Sequence, residues 1–235
     1  TVVDNGCPEE IAKALRSFPL VTNIIRNDEN RGYGQGCDQG IKSIDSKFCV
    51  LLNSDALVQP DAIRLLIDTL SENENIAVAV SLSLNTDETI QELGRVVKSD
   101  GHTLGVLENT PKEQIDIDAI KSVPYSSFVC VAVNVEDYLN IGGFDEKFSP
   151  AYSEDVDLCI RLWSASKAVV VNTNSVVSHA GGVASSELKD LSLIKSRNVE
   201  YLKKKHSALL DAEYSDVDIN NYPHSRDYLN KYYDQ

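Results

Sequence analysis

Residues 48–55 read Phe-Cys-Val-Leu-Leu-Asn-Ser-Asp. An unbroken apolar run of this length, closed by three small polar residues, is what a strand buried on both faces and ended by a turn requires. Downstream, Pro60-Asp61 open a helix with Ile63, Leu66, Ile67 and Leu70 at helical spacing, and Ile76 to Leu84 returns to strand. Upstream, Val2-Val3 end a strand at the turn Asp4-Asn5-Gly6. Pro8-Glu9-Glu10 then start a helix whose apolar stripe is Ile11, Leu15 and Phe18. Val21 to Ile25 is a further strand, and Tyr33 to Ile44 a glycine-containing helix. Strand and helix alternating over short links predict an α/β fold with a mostly parallel central sheet flanked by helices.

The signal weakens from about 85 to 123, a region expected to supply short strands and loops along one side of a site. It returns with a strand at Phe128–Val135 and a short helix, Glu136 to Asn140, stopped by Gly142-Gly143. A helix follows Ser153-Glu154-Asp155, with Val156, Ile160 and Trp163 on one face. Ala168–Val171 is a strand, Val176-Val177 lead to His179, and a basic-ended helix runs from Glu187 to about His206. Residues 207–235 read as an acidic, tyrosine-rich tail or extension of a domain spanning 1–206.

Composition limits what such a domain can bind. With 36 acidic against 22 basic residues the formal charge is −14, which repels nucleic-acid backbones. A small anionic ligand is still acceptable where a metal or a helix N-terminus supplies positive charge. The five cysteines are odd in number, form no Cys-x-x-Cys pair and sit mostly in apolar runs, which fits reduced thiols in a reducing compartment. No run reaches the length of a transmembrane helix.

In an open α/β sheet, ligands bind at the carboxyl ends of strands. Four polar clusters qualify or lie near. Asp55 ends a buried strand, where a carboxylate can hold a hard divalent cation; Asn53 to Asp55 can equally be an Asx-type turn. Glu154 and Asp155 are either first-turn acids complementing a helix dipole or, for one of them, a general base. His179, before Gly181-Gly182, is either a hydrogen-bonded loop residue or a ligand. Asp4 follows the first strand. Gly32, Gly34, Gly36 and Gly40 depart from a dinucleotide fingerprint, because Asn27 to Gly32 intervene after the strand. A nicotinamide-dependent oxidoreductase rests on that glycine spacing alone.

Taken in order, VVDNG, NRGYGQGCDQGI, VLLNSDALVQPDAI, IGGFDEKFSPAYSEDVDLCIRLW and VVSHAGG resemble the family 2 glycosyltransferases, which have the GT-A fold, and in particular their rhamnosyltransferase-like branch. The resemblance runs from residue 2 to about 182. It implies an inverting transfer of a sugar from a nucleotide-diphosphate donor, UDP-, dTDP- or GDP-linked, to a hydroxyl of a glycan or lipid-linked acceptor, in surface polysaccharide or other glycan synthesis. Asp4 would contact the nucleobase, Asn30 with Gly32 would line the nucleotide pocket, and Asn53 would stand near the ribose. Asp55 and His179 would serve Mg2+ or Mn2+. Asp155 would be the base, with Glu154 beside it. Three departures stand out: Asn53 replaces an acid, Ser126-Ser127-Phe128 replaces a glycine-led segment, and the family's first strand and helix do not precede VVDNG. A non-catalytic remnant or binding module of the same fold is the alternative. The expected location is cytoplasmic, with the inner membrane face left open by Lys203-Lys204-Lys205, which also suit a helix C-terminus.

Overall fold

The computed structural model describes residues 1–114, 120–181 and 190–210. In chain order the strands are β1 (Val2–Asp4), β2 (Ile24–Arg26), β3 (Phe48–Leu52), β4 (Ala56–Val58), β5 (Ile76–Leu84), β6 (Ile90–Glu92), β7 (Arg95–Val97), β8 (Thr103–Gly105), β9 (Ile120–Ser122), β10 (Cys130–Asn134) and β11 (Ala168–His179). The helices are α1 (Glu9–Ser17), α2 (Tyr33–Lys42), α3 (Ala62–Glu72), α4 (Val135–Asn140), α5 (Glu154–Ser164), α6 (Leu191–Lys205) and α7 (Ser207–Leu210). The expected tail begins inside α7, whose Leu210 is buried against the core; residues 211–235 lie outside the described residues, as does Gly182.

The central sheet runs β3-β10-β5-β11-β4, with β6 paired to β5 and β9 to β11. Here the expected mostly parallel sheet gives way to a mixed one. Among the described residues of this sheet only β5 and β11 pair in parallel, and β10 runs antiparallel to both β3 and β5. An apolar strand buried on both faces carries no local mark of its direction, so Cys130–Asn134 reads the same either way. β1 and β2 form a separate parallel pair, joined to the rest through α2.

All nine residues of β5 are buried, because helices cover both faces. On one side α3 sets Leu66 and Leu70 against Ala79, Cys130, Ala132, Val170 and Val177. Each such leucine contributes roughly 1.5–3 kcal/mol through removal from water. On the other side, α5 places Val156, Leu158, Cys159, Ile160, Leu162 and Trp163 in the larger cluster. The two strand signals expected at Ala168–Val171 and Val176-Val177 join into one strand. Its register shifts between Asn172 and Val176, where Asn172 bonds Thr69 of α3 and Ser175 bonds the Ala62 carbonyl. α1 differs from expectation: Ala12 packs inward, while Ile11 and Phe18 are exposed.

Candidate functional site

Strand register alone brings two of the four polar clusters, Asn53–Asp55 and His179, to one edge, with the Ser126-Ser127-Phe128 segment beside them. Leu52, the end of β3, sits opposite Cys130, the start of β10, so Asn53-Ser54-Asp55 and Ser126-Ser127-Phe128 are neighbours. The Asn53 N–H donates to the Val129 carbonyl across that join (2.9 Å). β11 ends at His179, opposite Ala56 of β4, directly after Asp55.

In the first corner, His179 Nε2 lies 3.2 Å from Asp55 Oδ1, both side chains being largely buried. The Ala56 N–H donates to the Asn53 carbonyl (3.2 Å), so the backbone does form a turn, yet the Asp55 carboxylate is directed at the imidazole. The turn and the ligand readings of this segment are therefore compatible. One carboxylate oxygen and one imidazole nitrogen this close are a fitting pair of donors for Mg2+ or Mn2+. Among the described residues no group of three His, Cys, Asp or Glu gathers, which leaves the other positions of such an ion to water and phosphate oxygens.

The second corner holds the acid pair. Tyr152 and Ser153 both have left-handed backbone (φ 78° and 73°), turning the chain sharply into α5. The Ser153 side chain makes no capping bond, and Glu154, Asp155 and Asp157 are the acids of this first helical turn. Burial, joined by the charge of Glu92, pushes the Asp155 carboxyl up to about 6, against the pull of the Val156 N–H and Arg95. Burial and the Asp155 charge raise Glu154 well above the ordinary range, and among the described residues its Oε2 has no hydrogen-bond partner. Of the two, Asp155 is the carboxyl that ionises first, and Glu154 keeps its proton longer.

Glu92 is a site residue that the sequence reading missed. Its carboxylate accepts from Ser126 Oγ (2.7 Å), Ser127 N (2.6 Å), Ser127 Oγ (2.9 Å) and Arg95 Nη1 (3.1 Å). Arg95 in turn donates to the Tyr125 hydroxyl (3.0 Å). The two serines that stand in for a glycine-led segment are thus held by a buried carboxylate. The weak region 85–123 does shape one side of the site, as expected, through the three residues of β6.

α6 braces the acid pair from behind. Buried Asn198 donates through Nδ2 to the carbonyls of Phe148 (2.7 Å), Ala151 (2.9 Å) and Tyr152 (2.8 Å). Asp157, whose side chain is fully buried, meets Arg161 Nε (2.8 Å), Lys205 Nζ (2.7 Å) and His206 Nε2 (2.8 Å). Lys205 of the basic helix end therefore pairs with acids of the domain, Asp145 included; Lys203 and Lys204 are exposed.

The third corner lies between β1, β2 and α2. Asp4 is buried, and its carboxylate accepts from the Cys7 N–H (2.8 Å) and from Arg26. Burial would raise it, but those partners hold it below the usual range. Asp4 thus stands in the wall of this corner with Arg26 in front of it, a partner that the sequence reading did not pair with it. Asn30 Oδ1 accepts from the Gly32 N–H (2.8 Å), and Asn5 Nδ2 donates to the Gly32 carbonyl (3.1 Å).

Gly32 connects this corner to the acid pair. It has φ +88°, and a Cβ there would lie 2.3 Å from the Pro150 carbonyl oxygen, which accepts from the Tyr33 N–H (2.9 Å). Gly32→Ala is expected to lower the unfolding free energy by about 2–3 kcal/mol, from backbone strain and the displaced loop together. Urea denaturation reads it; an unchanged midpoint would show that the loop yields freely. Tyr33 makes a second tie, its hydroxyl donating to the Phe128 carbonyl (2.7 Å).

Comparison with known proteins agrees with this architecture. The family model described as Glycosyl transferase family 2 matches residues 1–131. The glucosyl-dolichyl phosphate glucuronosyltransferase of Haloferax volcanii is 23% identical over 186 residues, 76% of this chain and 58% of that protein. Among solved structures, GalNAc-T7 with UDP, GalNAc and Mn2+ superposes with a TM-score of 0.66 at 15% identity, over 86% of this chain and 40% of that one. The mannosyltransferase PcManGT from Pyrobaculum calidifontis, in complex with GDP-Man and Mn2+, gives 0.54 at 13% identity, over 76% and 46%. The chain thus spans little more than half of the curated relative it matches. At such identities the solved structures speak for the fold, which is the GT-A fold expected from the motifs. With the family model matched over more than half its length, the chain belongs to glycosyl transferase family 2.

Proposed function

We propose that this domain transfers a sugar from a nucleoside-diphosphate donor to an acceptor hydroxyl, with inversion at the anomeric carbon. Asp155 is the base, Glu154 its buried neighbour, and Asp4, Asn30, Gly32 and Asn53 belong to the nucleotide side. Asp55 and His179 are the residues that would hold Mg2+ or Mn2+. The observation that carries the reading is the pair of Asp55 and His179 at the ends of β3 and β11, with β6 next to it: Gln91 of β6 meets His179, while Glu92 holds Ser127 and its charge acts on the buried Asp155 carboxyl.

Chemically, Asp155 takes the proton of the acceptor hydroxyl as its oxygen bonds to the anomeric carbon. The bond from that carbon to the diphosphate oxygen breaks, and its electron pair leaves with the nucleoside diphosphate. A divalent cation, when bound, neutralises charge on that departing group. Glu92 fixes the Ser126-Ser127 segment beside the base, and Asn198 fixes the backbone leading into it. Among the described residues no helix is long and apolar enough to cross a membrane. The relative named for glucosyl-dolichyl phosphate makes a lipid-linked glycan the first acceptor to try.

Calorimetric titration with UDP, dTDP and GDP, with and without Mn2+, tests the donor side. Binding of one nucleotide is expected to strengthen at least tenfold with Mn2+, and Asp55→Ala to remove that gain. Nucleotide binding indifferent to metal would overturn the assignment of Asp55 and His179. A second reading, a binding module without transfer, is favoured by the separation of the β1–β2 pair from the central sheet. It predicts metal-dependent binding with no release of nucleoside diphosphate over hours in the presence of acceptors.

A further inference from the structure

β6 also faces the first corner. Gln91 Oε1 lies 2.9 Å from His179 Nδ1, on the opposite side of the imidazole from Asp55. Which group donates is decided further along. Gln91 Nε2 donates to Asn85 Oδ1 (3.2 Å), Asn85 Nδ2 donates to Thr89 Oγ1 (2.9 Å), and the Thr89 hydroxyl donates to Asp87 Oδ1 (2.6 Å). The last member is a carboxylate, held ionised by the Thr89 hydroxyl and N–H, and an ionised carboxylate can only accept. Every donor in the chain must therefore point toward Asp87, which obliges Gln91 to present its carbonyl oxygen to the ring.

We propose that Gln91, with Asn85, Thr89 and Asp87 behind it, is a positioning residue that holds a proton on His179 Nδ1, so that Nε2, the nitrogen facing Asp55, is the one that gives up its proton and offers its lone pair when a divalent cation binds there. The relay is a property of this chain whatever the ligand; its purpose rests on the metal reading given above. An outer partner that fixes the tautomer of a ligating histidine typically changes metal affinity about 10- to 100-fold. Gln91 needs no contact with substrate to do this. The 85–91 hairpin thereby gains a role that its polar, turn-like sequence does not advertise.

Two measurements test the proposal on the full chain. Nitrogen-15 NMR of labelled histidines in the Mg2+-loaded protein at pH 8.5 should show His179 protonated on Nδ1 and not on Nε2. Gln91→Glu, which still offers an acceptor, should keep that pattern, whereas Gln91→Met, similar in length without an acceptor, should shift it toward Nε2–H. Titration with Mn2+ alone should show affinity about 10- to 100-fold weaker in Gln91→Met and within about threefold of wild type in Gln91→Glu. The glutamate variant separates loss of the acceptor from damage to the hairpin. An unchanged tautomer in Gln91→Met overturns the proposal, as does unchanged Mn2+ affinity there while His179→Ala weakens it. If His179→Ala binds Mn2+ as tightly as wild type, the metal reading itself falls, and the Nδ1 proton signal of wild type against Gln91→Met still judges the relay.

Discussion

Asp155→Asn is expected to lower sugar transfer by about 10²–10⁴-fold while leaving a better-folded protein. The loss follows from removing the group that accepts the hydroxyl proton. The gain follows from its environment: burial and the Glu92 charge lift its carboxyl from 3.8 to about 6. A carboxyl raised on folding favours the native state while protonated, and that contribution disappears as pH rises through the folded value. Above pH 7 the ionised Asp155 therefore weakens the fold by up to about 3 kcal/mol, less whatever solvent and Arg95 screen. Asparagine removes this cost. Wild-type kcat/KM should climb with pH through about 6 and level off, while thermal stability of wild type relative to Asp155→Asn declines over the same interval. Activity and stability moving in opposite directions around one pH is the signature. Retention of donor-dependent transfer in Asp155→Asn would remove this residue from the chemistry.

The second large effect is on stability. Asp157→Ala should cost about 3–5 kcal/mol, because it strips a fully buried carboxylate from Arg161, Lys205 and the His206 ring. Arg161 keeps the carbonyls of Ile141 and Gly143, and Lys205 keeps Asp145, but His206 loses the acceptor seen in its present position. The release acts on α6, and through Asn198 on the backbone that carries Tyr152 into the acid pair. Burial alone would raise Asp157, yet His206, Arg161 and Lys205 hold it below the ordinary carboxylate value. Its contribution is therefore present above the unfolded-state value and lost as pH falls below it. Wild type should show acid weakening that Asp157→Ala lacks; urea midpoints from pH 3 to 7 measure both. Equal midpoints near pH 7 would show that the α6 contact adds nothing to the fold.

Much of this was legible beforehand, for reasons that individual residues make plain. Phe48–Leu52, Ile76–Leu84 and the helix after Pro60-Asp61 announce themselves because burial, turn and helix period coincide there. The acid pair, Asp55 and His179 stand out as polar residues at the ends of apolar runs. What escaped depends on contacts distant along the chain. β4 has three residues and exists through its pairing with β11, so no local pattern marks it. Strand direction was hidden because β10 is buried on both faces. Glu92 lies in Thr-Ile-Gln-Glu-Leu-Gly, whose polarity reads as loop until Ser126 and Ser127 arrive from 34 and 35 residues away. Asn198 sits on α6 and His206 caps its end, and that basic end has a sufficient local explanation, which concealed the acids it meets.

One geometric fact about β6 restricts how this protein can change. Gln91 and Glu92 are consecutive, so the pleat sends one toward the imidazole and the other toward the serines. Losing or gaining one residue in the tight connection before them would rotate the strand by half a turn and swap the two side chains, offering a carboxylate to the histidine and an amide to Arg95. The length of that connection is therefore subject to a parity rule: two-residue steps can preserve both attachments, and single steps forfeit both at once.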